Sequence, residues 1–346
     1  MKKFVCIMLL LALAVPLVFS GGAKDKGSIN KIVIYTSLYN EIITDIRIDL
    51  KNQFPEYDIE FVQGGTGTLR ARVTSELASG RLGCDMLLVA GPAYAPEVKD
   101  KGVLHPYKSA EASSLAFDYD PDGYWYPVRI SNMVLAFNPD KYARNTLPNS
   151  FYDFANDPSL KNAISMNNPL VSGTSMAAVT ALRNKYGLDY YEALGRQNVT
   201  MDAGAVALNK LESGEVKVAM ILEESILRMQ QEENSKIEVI YPVDGTILIP
   251  STIMIINDQW NANKNSKTAE IISEWFLSAQ GQSAIVDGWM HSVRKNFHRI
   301  PYGSVPTSDI MTNIMPLNWD FRESENIQHD FEDYTLSRRD PLFSDE

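Results

Sequence analysis

One stretch of the chain combines small hydroxyl residues with the start of a helix, an arrangement that can bind an anion. It runs from Asn168 to Leu182, with Ser172, Thr174 and Ser175 ahead of an alanine-rich segment. The first N–H groups of a helix are unpaired and carry about half a positive charge, so phosphates and carboxylates bind there. In the alternative interpretation, one of these hydroxyls only caps the helix and contributes about 1 kcal/mol.

The same stretch contains Gly-Thr-Ser-Met-Ala at positions 173–177, which is similar to the serine-nucleophile signature of subtilisin-like proteases. A serine nucleophile needs an oriented histidine base and an aspartate. The only histidine before Ser175 is His105, in a Leu-His-Pro-Tyr context, and no Asp-Ser-Gly or Asp-Thr-Gly occurs. A secreted serine hydrolase is therefore a remote alternative, and we assign no catalytic residue.

The composition is that of a globular chain with room for two domains. Of its 346 residues, 45% are hydrophobic and 22% are charged. The net charge of −11 argues against a nucleic-acid partner, because a phosphate backbone requires a basic surface. A small anion is still compatible with this charge, since a local group of donors can oppose the overall sign.

The first residues have the pattern of an export signal. Two lysines precede an apolar run from Val5 to Phe19, and small residues surround a predicted cleavage site near Ser20-Gly21. The run is shorter than the ~20 residues of a membrane-spanning helix. We therefore predict a signal peptide over residues 1–20 and a flexible leader over residues 21–30, which implies export to the periplasm.

Cysteine use adds two expectations about this exported chain. A bacterial lipoprotein would carry a cysteine at the cleavage site, where this chain has Gly21 and Gly22. Cys84 is the only cysteine after the signal peptide, so no intramolecular disulfide is predicted. We expect neither a lipid anchor nor a disulfide.

Strands and helices are predicted to alternate from Lys31 onward. Apolar, β-branched runs predict strands at 31–35, 58–62 and 84–89, each followed by a glycine- or hydroxyl-rich turn and a helix. Alternation of this kind predicts a mostly parallel sheet, whose ligands gather at the carboxyl ends of the strands. The candidate binding residues in these turns are Thr36, Ser37, Tyr39, Gly65, Thr66, Gly67, Thr68 and Gly91.

The chain resembles extracellular solute-binding proteins of the ferric-ion and oxyanion type, the periplasmic receptors of ATP-driven (ABC) importers. The segments that carry the resemblance are Val33–Ser37, Gly64–Arg72, Cys84–Leu88, Leu135–Asp140 and Tyr241–Thr246.

The resemblance implies an α/β fold of the type II periplasmic binding protein class. Two Rossmann-like lobes are joined by two crossover strands and hold the ligand between them. The implied division places lobe 1 at 31–130 and 247–300, lobe 2 at 131–246, and a C-terminal helical segment at 301–346. Leu135–Asp140 and Tyr241–Thr246 are then the expected crossovers.

Two kinds of ligand are compatible with the resemblance. Ferric-binding members hold iron with adjacent tyrosines in the second lobe, where this chain has Glu223-Glu224. An iron site would then use Tyr39, Glu223 and Glu224, with Fe3+ as transported ligand and not as a cofactor. For Glu223-Glu224, the purely structural interpretation is a solvated helix start.

The other branch of the resemblance binds phosphonates, sugar phosphates and related anions. Donors at residues 66–68 and 172–175 would hold the anion and Arg129 could grip it with two hydrogen bonds, while carboxylates would accept hydrogen bonds from hydroxyl or amine groups. The candidate residues from Arg129 onward are Arg129, Ser172, Gly173, Thr174, Ser175, Glu223, Glu224 and Asp244.

Taken together, these features predict a monomeric, non-enzymatic receptor that needs no cofactor. It would capture an organic phosphate, phosphonate or similar oxyanion and deliver it to a membrane permease, with ferric iron as the alternative ligand.

Overall fold

The first third of the structure alternates strands and helices, as the sequence predicts. The computed structural model describes residues 31–340, so the predicted signal peptide and leader lie outside the described residues. The elements are β1 (Lys31–Thr36), α1 (Asn40–Gln53), β2 (Asp58–Gln63), α2 (Thr66–Ala78), β3 (Met86–Ala90) and α3 (Tyr94–Asp100). Strand β1 pairs in parallel with both β2 and β3. Helix α1 buries one face, formed by Ile42, Ile43, Ile46 and Leu50.

One boundary in this region differs from the prediction. The turn expected over residues 63–68 ends at Gly65, because Thr66 already begins helix α2. Thr66 and Gly67 therefore belong to the first helical turn, whose N–H groups have no intrahelical acceptor.

Two long strands cross the whole molecule. Strand β4 (Trp125–Phe137) and strand β9 (Ile247–Ile255) are buried along their entire length and run antiparallel, from the pair Trp125–Met254 to the pair Met133–Ile247. One end of β9 pairs with β3, and the far end of β4 pairs with the second lobe. At about 3.3 Å per residue, the thirteen residues of β4 span about 40 Å.

The crossovers therefore lie in β4 and β9 and not at the expected positions. Residues 135–137 already pair with a strand of the second lobe, and residues 241–246 form the loop that precedes β9. Two crossover strands are present, as the sequence resemblance implies.

The second lobe repeats the α/β alternation between these two strands. Its elements are α4 (Phe151–Asn156), β5 (Ile164–Met166), α5 (Gly173–Tyr186), α6 (Leu188–Arg196), β6 (Thr200–Met201), α7 (Gly204–Ser213), β7 (Val218–Leu222), α8 (Glu223–Glu233) and β8 (Glu238–Ile240). The sheet order is β2-β1-β3-β9-β4-β7-β5-β6, with β8 also on β4. The sheet is thus continuous through the crossovers and curls into two lobes.

The remaining helices cover the sheet and end in the C-terminal segment. Helices α9 (Ser266–Leu277) and α10 (Ala279–Asp287) contribute to the lobe 1 core, and α11 (Thr307–Ile310) and α12 (Ser324–Tyr334) follow. Helix α12 packs on α6 of lobe 2, where the Phe331 ring meets the edge of Tyr191 at a centroid distance of 5.2 Å. The described part of the C-terminal segment therefore contains two helices, α11 and α12.

Between residues 31 and 340, the structure contains no helix that is both long enough and apolar enough to span a bilayer.

We predict that Phe331→Ala destabilises the protein strongly. The ring is fully buried between α12 and lobe 2, so its removal should leave a cavity and cost about 3–5 kcal/mol. Urea unfolding measures this difference. Asn326→Ala, on the exposed face of the same helix, is the control and should change the free energy of unfolding by less than about 0.5 kcal/mol. Equal stability of the two variants would contradict the packing of α12 on α6.

Candidate functional site

The candidate site is a cavity of about 430 Å³ between the two lobes, at the carboxyl ends of their strands. On the lobe 1 side, the cavity is lined by residues at the ends of β1, β2 and β3 and in the turns that follow them. On the lobe 2 side, it is lined by the starts of α5 and α7 and the loops before them. Arg129 of crossover β4 also lines it. Eight residues predicted from the sequence line this cavity: Ser37, Tyr39, Gly65, Thr66, Arg129, Ser172, Gly173 and Thr174.

Three helices begin at the wall of this cavity. Helix α5 starts at Gly173, α7 at Gly204 and α2 at Thr66, and each of these first residues lines the cavity. Ser172 caps α5, because its Oγ accepts a hydrogen bond from the Ser175 N–H at 3.3 Å. The N–H groups at the start of each helix lack intrahelical acceptors and give the cavity wall positive partial charge.

Arg129 is the buried cation beside the cavity. Its side chain is 2% exposed, and Nη1 lies 3.1 Å from Ser131 Oγ and 3.5 Å from Glu224 Oε1. Burial lowers the pKa of Arg129, while Glu224 opposes the shift, and a guanidinium remains charged near neutral pH. Within residues 31–340, the Arg129 Nε–H has no hydrogen-bond partner. An unpaired buried donor of this kind costs free energy unless a ligand accepts its hydrogen bond.

Glu223 and Glu224 begin α8, but they are buried and not solvated. Glu223 accepts hydrogen bonds on Oε1 from Tyr241 at 2.5 Å and Ser304 at 2.6 Å. Its Oε2 lies 3.1 Å from both Asn132 Nδ2 and His291 Nε2. The interpretation as a solvated helix start is therefore wrong.

The pKa values of the two carboxyl groups are shifted in opposite directions. Burial by itself raises the pKa of Glu223, but the hydrogen bond and charge of His291, with the bonds from Ser304 and Tyr241, hold it below its ordinary value. Burial raises the pKa of Glu224, and this effect exceeds the opposing influence of Arg129 and the Ser131 hydrogen bond.

The two lobes touch at one edge of the cavity. The Gly67 N–H of α2 donates to the Val171 carbonyl at 3.3 Å. A Cβ on Gly173 would lie 2.7 Å from the Ala90 carbonyl oxygen of lobe 1, closer than real Cβ atoms approach. Glycine at 173 thus permits a direct backbone contact between the lobes, and the structure shows the cleft closed at this edge.

Some candidate residues do not line the large cavity. Gly67 and Gly91 line a smaller neighbouring cavity of about 120 Å³. Thr36 is fully buried and its Oγ1 accepts from the Leu38 N–H, while Thr68 is exposed. Ser175 is buried within the first turn of α5, and its hydroxyl has no hydrogen-bond partner among the described residues.

The expected role of Asp244 as a cavity residue needs a correction. Its carboxylate accepts from the N–H groups of Phe151 and Tyr152, at the start of α4, and from the Tyr186 hydroxyl at 2.6 Å. Asp244 therefore caps a helix and is not among the cavity-lining residues. Glu223 and Glu224 do not line the cavity either, although Glu224 lies beside Arg129.

Polar residues that were not singled out from the sequence also line the cavity: Gln63, Asn167, Asn168 and Asp202. Asp202 Oδ2 accepts hydrogen bonds from Ser165 at 2.7 Å and Thr200 at 2.8 Å, and Oδ1 lies 3.0 Å from Lys210 Nζ. Two of these residues directly follow a strand, namely Asn167 after β5 and Asp202 after β6, and Gln63 is the last residue of β2. The rule that ligands gather at strand ends could have identified them.

The residues expected for an iron site are held by other groups of the protein. Within the described range, no group of three or more His, Cys, Asp or Glu side chains is positioned to hold a metal ion. All four contacts of Glu223 are to protein groups, and Glu224 is held by Ser131 and Arg129. Burial and the Glu224 charge raise the pKa of Tyr39, whose hydroxyl oxygen accepts a hydrogen bond from Ser225 at 3.3 Å.

The chain matches a known protein family over residues 84–321, described as bacterial extracellular solute-binding protein. The match covers more than half of the chain, so the protein belongs to this family. Members are non-enzymatic transport receptors, which implies a small ligand, export to the periplasm and an ABC permease as membrane partner.

Solved structures of periplasmic binding proteins share the fold. Iron-bound HitA from Pseudomonas aeruginosa superposes with a TM-score of 0.77 at 19% identity, covering 88% of this chain and 99% of that protein. AfuA from Actinobacillus pleuropneumoniae, with fructose 6-phosphate bound, gives a TM-score of 0.73 at 18% identity, covering 88% and 98%. These similarities show a type II periplasmic binding fold. No curated protein matches the sequence.

We predict that two neighbouring substitutions, Glu223→Gln and Glu224→Gln, destabilise the protein to different extents. Glu223 is an ionised acceptor of four hydrogen bonds, so its replacement should lower the free energy of unfolding by about 2–3 kcal/mol at pH 7. Glu224→Gln should cost less, because burial already disfavours its charge. Urea unfolding of both variants measures the difference.

The pH dependence of stability gives the control for this prediction. Because the folded pKa of Glu223 lies below its ordinary value of 4.5, its stabilising contribution is present at neutral pH and is lost as the pH falls below that value. The gap between wild type and Glu223→Gln should therefore shrink from pH 6 to pH 3. A gap that stays constant would show that the carboxylate charge is not what stabilises the fold.

Proposed function

We propose that this receptor captures an organic phosphate or phosphonate in the interlobe cavity. The observation that carries the proposal is the Arg129 Nε–H, a buried donor beside the cavity without a protein partner among the described residues. A cation with an unpaired donor is complementary to an oxyanion.

The helix N-termini at the cavity wall support the same proposal. Backbone N–H groups at the starts of α5 and α7 and the Ser172 and Thr174 hydroxyls are donors in the second lobe, and Ser37 and Thr66 add hydroxyls from the first. Donors from both lobes can bind one anion only when the lobes are close, so the anion stabilises the closed form through its differential affinity.

Asp202 adds a hydrogen-bond acceptor to a cavity wall that presents donors, and this acceptor indicates which groups the rest of the ligand carries. Its carboxylate and the Asn167 Oδ1, which has no partner among the described residues, are acceptors at the cavity. Acceptors of this kind pair with hydroxyl or ammonium groups. A hydroxylated organic phosphate would pair with both the donors and the acceptors of the cavity. The structurally similar AfuA was solved with a ligand of this kind, fructose 6-phosphate, bound.

We predict that Arg129→Lys weakens binding of every phosphate ligand. Lysine keeps the charge but lacks the planar group with its Nε–H, so affinity should fall at least tenfold for both inorganic phosphate and fructose 6-phosphate. Isothermal titration calorimetry measures both ligands. Arg322→Lys, at an exposed position, is the control and should bind like wild type.

Asp202→Asn tests the second half of the proposal. Its effect should be large for fructose 6-phosphate and small for inorganic phosphate, since only the sugar phosphate carries alcohol hydroxyl groups beyond the phosphate. Thermal unfolding checks that each variant is folded. If wild type binds neither compound but binds ferric iron with visible absorbance, the organic-anion proposal is wrong.

A further inference from the structure

The C-terminal segment contacts the two lobes in alternation. Ile310 belongs to the lobe 1 core, Met315 to the lobe 2 core, Trp319 packs on a second lobe 1 cluster, and Phe331 returns to the lobe 2 core. Residues 310–336 thus connect the lobes in addition to crossovers β4 and β9. A third connection of this kind restrains how far the lobes can separate.

The chain between Met315, which is attached to lobe 2, and Trp319, which is attached to lobe 1, is short. Met315 is fixed to lobe 2 through its N–H, which donates to the Thr246 carbonyl at 2.8 Å. Four residues further on, Trp319 stacks on Trp125 of lobe 1, with a centroid distance of 5.1 Å and an angle of 13° between the rings. Four residues span at most about 14 Å when fully extended. Wide separation of the lobes therefore requires one of these two attachments to release.

Trp319 is the weaker attachment of the segment. On the lobe 2 side, α12 is held by the buried Phe331, by an ion pair between Asp330 and Arg183, and by the hydrogen bond from Thr335 Oγ1 to the Tyr191 carbonyl at 3.0 Å. Ile310 is buried in the lobe 1 core, but beyond Met315 the principal contact with lobe 1 is the stack of the two tryptophan rings.

The segment also covers the point where the lobes touch. The cavity of about 120 Å³ is lined by Gly67 of lobe 1 and Val171 of lobe 2, the two residues of the interlobe hydrogen bond, and by Asp320 and Ile327 of the C-terminal segment. The segment therefore lies directly over the contact that closes the cleft.

We propose that residues 310–336 act as a clasp that favours the closed arrangement of the lobes, with the Trp319–Trp125 stack as the contact that releases on opening. Because opening breaks this stack, its strength sets part of the ratio of closed to open molecules. The proposal rests on the two-lobe fold and does not depend on which ligand occupies the large cavity.

Hydrogen exchange of the Gly67 amide tests the clasp in ligand-free protein, since this N–H is protected by Val171 only while the lobes touch. Trp319→Ala should accelerate its exchange about tenfold. Trp260→Ala is the matched control, because Trp260 packs on the same lobe 1 cluster but does not belong to the C-terminal segment. It should exchange like wild type.

Three results would overturn the clasp: unchanged exchange in folded Trp319→Ala, equal acceleration by Trp260→Ala, or an unprotected Gly67 amide in wild type. Circular dichroism checks that each variant is folded. If Trp319→Ala is unfolded, Trp319→Phe is measured in its place. In that variant we expect the exchange rate of the Gly67 amide to rise by less than tenfold, and an unchanged rate would contradict the clasp. No ligand is added, so these results are independent of the phosphate titrations that test the proposed function.

Discussion

A single buried carboxylate, that of Glu223, connects four parts of the structure. Tyr241 comes from the loop before β9, Ser304 from the chain leading to the C-terminal segment, Asn132 from crossover β4, and His291 from lobe 1. A charge removed from water is costly unless its oxygens are fully hydrogen-bonded, so these four groups must stay in place together. The relative position of the crossovers, and with it the shape of the cleft, depends on this arrangement.

The next residue links this arrangement to the cavity. Glu224 accepts from Ser131 at 2.7 Å and lies 3.5 Å from the Arg129 Nη1, while the Arg129 Nε–H has no partner among the described residues. Together with the helix N-termini, Arg129 makes the cavity wall a donor surface in a protein whose net charge is −11. Local geometry and not the overall charge therefore determines the kind of ligand that fits.

Much of the fold follows from the sequence pattern, because β1, β2 and β3 are β-branched runs followed by turns. The rule that ligands gather at strand ends also predicted four of the lining residues, namely Ser37, Tyr39, Gly65 and Thr66. The sequence pattern does not predict features that depend on tertiary contacts. The direction of the Asp244 side chain and the burial of Glu223 are two such features, because both depend on partners far along the chain. Strand β6, with two residues, is too short to show a period, so Asp202 was missed. Fully buried β4 and β9 show no alternation that marks where they cross between lobes.

The central claim is that the closed cleft holds an organic oxyanion through Arg129 and the start of α5. Native mass spectrometry of the receptor purified from its own periplasm, without added ligand, tests this claim most directly. We expect a retained small molecule that contains phosphorus and leaves on denaturation. A retained iron ion with visible absorbance and no phosphorus would contradict it.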